Sequence, residues 1–165
     1  MGLRRAERAG GSAPAYRAGG VRTLPPTMSA NQPNPERLEL EELTQLQPGL
    51  ARLMPEIADR FWKAFYAAQS ENWPLAAWQL REMRKLMRLG MITRPKYQDD
   101  LEEYIREDVE PLLAAIEERD GSRFARLYHD AVDAANELHR RWKKEFIVWR
   151  LPDHAPPDLD LTPRG

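Results

Sequence analysis

From Glu36 onward, apolar residues recur at three- and four-residue steps, the period of an amphipathic helix. No strand-like alternation is interleaved with them. Residues 36–46 (ERLELEELTQL) are a short acidic, leucine-rich segment stopped by Pro48-Gly49. A first long helix is expected from Leu50 to Ser70, with Leu50, Met54, Ile57, Phe61, Phe65 and Ala68 on one stripe and Pro55 kinking its start. Asn72 suits the N-cap of a second helix and Pro74 its first turn. This helix carries Leu75, Trp78, Leu80, Met83, Met87 and Leu89 to a stop at Gly90, and the loop MITRP follows.

The third helix is expected from Lys96 to Arg119, with Leu101, Ile105, Val109, Leu112 and Ile116 inward and a bend at Pro111. Asp120-Gly121 closes it and Ser122 caps a fourth helix. That helix shows Phe124, Leu127, Ala131, Ala135, Leu138 and Trp142 on one face and reaches Lys143. FIVWRLP then reads as a short extended apolar run, and DHAPPDLDLTPRG is too proline-rich for regular structure. Four such helices with short connections predict an all-α fold, an antiparallel up-down-up-down four-helix bundle over residues 36–151. An irregular tail over 152–165 follows it.

Residues 1–35 differ in kind. The first 27 hold five of the nine glycines, and five arginines against one acid. Such a stretch cannot bury enough apolar surface to order itself and is expected to be a disordered extension. It contains no apolar run long enough for a secretory signal, so a cytoplasmic protein is expected. Met28, heading MSANQPNPERLEL, is a candidate start.

The chain carries a net charge of −1, and its arginine-rich start leaves −5 on residues 28–165. That balance opposes an anionic membrane or nucleic acid as partner, although Arg140, Arg141, Lys143 and Lys144 beside Trp142 and Trp149 resemble a stacking platform. Arg81, Arg84, Lys85 and Arg88 face a run of acids from Asp99 to Glu110, the pattern of solvated helix faces bridged to one another. Zero cysteines exclude disulfides, thiolate metal sites and thioether-linked haem. There is no nucleophile elbow, phosphate loop or dinucleotide fingerprint. His129 and His139 lack the Glu-x-x-His spacing of a di-metal carboxylate bundle, and His129 with Asp133 makes only a weak mononuclear pair. Methionines and aromatics are dense on the first two helices; at this spacing they serve a core or a cavity for a flat ligand equally well.

The stretch AANELHRRWKKEFIVWRLP (Ala134 to Pro152) resembles the end of the c-type cytochromes built as four-helix bundles, the cytochrome c-prime-like family. The likeness extends over about Leu50 to Leu161, through FWKAFYAAQSENWPLAAWQLREM and EPLLAAIEERDGSRFARLYHDAVDAAN. In that family the last helix ends in Cys-x-x-Cys-His. By the resemblance, Ala135 and Leu138 stand at the two cysteines, Asn136 at an asparagine that often follows the first, and His139 at the axial histidine. Covalent haem attachment is chemically impossible here.

The resemblance therefore implies a non-enzymatic, haem-free bundle with its core closed over the former haem space, acting as a homodimer or partner-binding module. Pairing through the first two helices would use Trp62, Tyr66, Trp73 and Trp78. No cofactor is expected on this reading. The alternative is noncovalent binding of haem b or another planar ligand, with His139 and Met54 as the ligand pair.

Overall fold

The computed structural model describes residues 46–163; the expected disordered extension over 1–35 and all but the last residue of the acidic segment 36–46 lie outside them. The described residues are all-helical. Helix α1 is Leu50–Gln69, α2 is Trp73–Thr93, and a 3-10 turn over Pro95–Tyr97 leads into α3, Gln98–Tyr104. A π-helical turn, Ile105–Val109, joins α3 to α4, Glu110–Glu117; α5 is Gly121–Arg141. Among the described residues no helix is long and apolar enough to cross a membrane.

Local chemistry explains most boundaries. Asn72 caps α2, its Oδ1 accepting the Leu75 N–H at 3.2 Å, with Pro74 in the first turn. Asp120, rather than Ser122, caps α5, its Oδ1 accepting the Arg123 N–H at 2.8 Å. The bend expected at Pro111 takes the form of the π turn ahead of it. Proline has no N–H for the fourth carbonyl back and crowds it, and the helix widens there so that the Glu110 N–H reaches the Ile105 carbonyl.

Gly90 does not stop α2, which continues to Thr93. A Cβ on Gly90 would lie 2.7 Å from Leu50 Cδ2, so the glycine serves the close approach of α1. Three helix ends share one device. After α1, α4 and α5 the chain turns at Glu71, Arg119 and Lys143 with φ of 57°, 53° and 55°. Each is followed by the paired hydrogen bonds of a Schellman motif, such as Asp120 N–H to the Ala115 carbonyl at 2.9 Å and Arg119 N–H to that of Ile116 at 3.0 Å. The left-handed residue is not glycine in any of them.

Helix α1 packs on α2 and α5, while α3 and α4 pack on both α2 and α5. The α1–α2 seam is alanine-rich, burying Ala64, Ala67 and Ala68 with Ala76 and Ala77. Consequently Trp78 and Leu89, expected inward, are exposed. On α5 the buried face is Phe124, Tyr128, Ala131, Val132, Ala135 and Asn136; Leu127 is only partly covered. Tyr128 sits at the centre, its ring 4.4 Å from that of Phe61 and 4.7 Å from that of Phe65. The Tyr104 hydroxyl donates to the Ala131 carbonyl at 3.0 Å, tying α3 to α5. Arg84 on α2 meets Glu110 at 2.6 Å, one bridge between the opposed charged faces.

The proline-rich tail is irregular yet held. Tyr66 Oη donates to the Pro152 carbonyl at 2.6 Å, Lys63 Nζ lies 2.7 Å from Asp158, and Asn72 Nδ2 donates to the carbonyls of Leu161 and Thr162 at 3.3 and 3.2 Å. Trp149, Leu151 and Leu161 pack on the core, so the segment gains enough buried contact to order itself without a regular backbone pattern.

Candidate functional site: an apolar cavity beside His139

A cavity of about 410 Å³ opens where the start of α1, the start of α3 and the end of α5 meet. Small side chains make the room: Ala51 and Ala58, two turns apart on α1, and Ala135 on α5 all line it. Larger apolar groups complete the wall, among them Leu50, Met54, Met87, Leu101 and Leu138. The segment after α5 supplies the remaining side through Lys144, Ile147 and Trp149. The lining is predominantly apolar, with a few polar groups set into it, the usual make-up of a small-molecule site.

His139 is the most informative of those polar groups. Its Nδ1 is buried and has no hydrogen-bond partner, and its ring stands edge-on to Trp149 with centroids 5.4 Å apart. Burial lowers its pKa from the ordinary 6.5, and the Ile147 backbone pulls weakly the other way. At neutral pH it is the uncharged imidazole, the form that can coordinate a metal or accept a hydrogen bond. Asp100, also on the wall, is already engaged: its Oδ2 accepts the Trp142 Nε1–H at 2.6 Å and its Oδ1 pairs with Arg141.

Met54, Ala135, Leu138 and His139, singled out in sequence, thus line one space. That space is open, whereas a closed core was expected. The physical reason is that Ala135 is too small to fill it and the irregular segment packs around the gap without entering it. Tyr97, Asp100, Tyr104, Trp142, Lys144 and Trp149 were not anticipated as wall residues. The signal available was Leu50 and Met54, which sit on α1's apolar stripe yet are not buried with it.

The four aromatics expected at an interface sit in different surroundings. Tyr66 is taken by the tail. Trp62 stacks edge-on to Tyr66, and Trp73 packs against the core. Trp78 is 49% exposed beneath the Arg60 guanidinium, 5.1 Å from its ring. Other large apolar side chains are more exposed: Ile92 is 74% exposed, Phe146 75% and Val148 70%.

Of the residues considered as a nucleic-acid platform, three have partners within the chain, Arg140 with Glu137 and both Arg141 and Trp142 with Asp100. Among the described residues no group of three or more metal-capable side chains comes together. No family model, curated protein or solved structure matches the chain.

Proposed function

We propose that this chain is a non-enzymatic protein that binds an apolar small molecule noncovalently, within an antiparallel up-down-up-down four-helix bundle. The bundle is supported by four helical rods, each packed on two others and joined by tight turns. The binding function is carried by one observation, the 410 Å³ apolar cavity with His139 in its wall. Close-packed interiors leave few voids larger than a water molecule, and this volume falls within the range of ligand sites, about 300–1,000 Å³.

Haem b fits the donors present. His139, which the cytochrome c-prime-like resemblance points to, offers a neutral imidazole, and Met54 offers a thioether in the same lining. His139 and Met54 would hold it, and the iron would supply whatever redox or gas-binding chemistry follows.

Titration with haem b, followed by its Soret band, and with a neutral polarity-sensitive dye, followed by fluorescence, tests the reading. Saturable binding of either, with a rise in Tm as ligand exceeds Kd, is expected; at a hundredfold excess over Kd the gain is about 2.7 kcal/mol. A haem spectrum lost in His139→Ala assigns the axial ligand. If neither haem nor dye changes spectrum or Tm, the cavity is no ligand site.

A second reading, a homodimer or partner-binding module, is favoured by the exposure of Phe146 and Val148, two residues apart on the segment after α5, since exposed apolar groups close together mark interaction sites. Light scattering reads it directly: a dimer at micromolar concentration that Phe146→Asp converts to monomer supports it, and a clean monomer removes it.

A further inference from the structure

The electrostatics of the cavity rim define the ligand more narrowly. The one carboxylate lining the cavity is already engaged. Asp100 has both oxygens engaged, by Trp142 and Arg141. The last carbonyls of α5, on Leu138, His139 and Arg140, accept the N–H groups of Trp142, Lys144 and Lys143. Two cations remain. Lys96 Nζ lies 4.7 Å from the Tyr97 ring centroid and 5.7 Å from that of Trp142, both wall residues. Lys144 is itself part of the wall, its Nζ 5.7 Å from the Phe146 ring. Neither lysine forms an ion pair among the described residues. An apolar chamber with one lysine in its lining and a second stacked on two lining rings complements a molecule with an apolar body and one anionic end.

We infer that the ligand is an amphipathic carboxylate, its hydrocarbon part in the cavity and its carboxylate at the rim against Lys144 and Lys96. The inference rests on the cavity being a ligand site. Burying the hydrocarbon contributes most of the affinity, in proportion to apolar area removed from water. The carboxylate contributes orientation and selectivity through charge-assisted hydrogen bonds, which are stronger than neutral ones. Haem b, with its own carboxylates, belongs to this class as well, and its Soret band distinguishes it from a colourless acid.

The test compares dodecanoate with dodecanol, which share a chain and differ in the head, by calorimetric titration of the full chain. Dodecanoate is expected to bind about tenfold more tightly, the equivalent of about 1.4 kcal/mol. The ratio should shrink in Lys144→Gln and approach one in the Lys96→Gln, Lys144→Gln double variant, with an unchanged far-UV circular dichroism spectrum and ligand-free Tm as evidence that the fold is intact. Added salt should weaken dodecanoate alone. Equal binding of the two in the wild type, or a preference that survives the double variant, overturns the inference while leaving the cavity a ligand site. If neither ligand binds and the neutral dye also fails, the reading of the cavity falls with it.

Discussion

Asn136 grips the backbone of Trp149 from both sides: its Nδ2 donates to the Trp149 carbonyl at 2.9 Å, and its Oδ1 accepts the Trp149 N–H at 2.7 Å. A buried amide thereby satisfies a peptide unit in a segment that has no secondary structure to do so. The clamp holds Trp149 against His139 and Phe61, so this side of the cavity depends on it. Asn136→Ala leaves both Trp149 groups without their partner and is expected to cost about 1–3 kcal/mol. Urea midpoints measure this, and limited proteolysis should show faster cleavage after Trp149. An unchanged midpoint with an unchanged cleavage pattern would show that the tail is held by other contacts.

The left-handed residues that end the helices are a second place to look. Arg119 has φ 53° and pays the steric cost of a Cβ in that region, about 1 kcal/mol. Arg119→Gly should raise Tm by a few degrees, whereas Arg119→Ala, with the same Cβ, should not. Equal melting of the two variants would mean that no strain is relieved.

Gly90 divides small substitutions from large ones. Gly90→Ala gains about 1 kcal/mol of helix propensity and need only displace Leu50 Cδ2, the flexible end of a side chain. Stability should therefore stay near wild type. Because Leu50 lines the cavity, affinity for the neutral dye should fall. Gly90→Val adds bulk that the seam has no room for and should cost about 1–3 kcal/mol. A dye affinity unaffected by Gly90→Ala would show that Leu50 moves away from the cavity.

Asp108, in the π turn, has its pKa raised from 3.8 to about 6, first by burial and then by Glu107, Asp130 and Glu103. The folded state therefore holds a proton that the unfolded chain releases near 3.8. This contribution to stability is fully present below that value and is lost as pH rises toward 6. His139 acts in the opposite direction: its lowered pKa favours folding as pH rises through its range. Comparing wild type with Asp108→Asn isolates the first effect. The variant should be relatively more stable at pH 7 than at pH 4, and parallel pH profiles would refute the assignment.

Much of the helical architecture was legible from local chemistry. The stripe Leu101, Ile105, Val109, Leu112 and Ile116 is buried throughout, and Asn72 caps α2 as its position suggests. On α2 Leu80, Met83 and Met87 are buried as their spacing suggests, but Trp78 and Leu89 are not, because hydropathy ranks them above Ala76, Ala77 and Gly90 while a tight seam with α1 selects for small residues. Ser122 yielded to Asp120 as a cap because the left-handed turn falls at Arg119, two residues earlier than the glycine suggests. At the site, Met54, Ala135, Leu138 and His139 were named from a resemblance. Lys144 and Asp100 were noted only as surface charges, since nothing in their spacing reveals a shared wall.

The sequence by itself determined helices, most of their ends and the absence of any thiol, because these depend on neighbours within a few residues or on composition. Whether the space beside Ala135, Leu138 and His139 is filled was decided only by the tertiary structure. A cavity is the volume left between side chains contributed by separate segments, here α1, α2, α3, α5 and an irregular stretch held by Asn136. Its charge depends on which ions those segments pair. Asp100 finds Arg141 and Trp142 from the far end of the chain, while Lys144 joins the lining and Lys96 stacks on two of its rings.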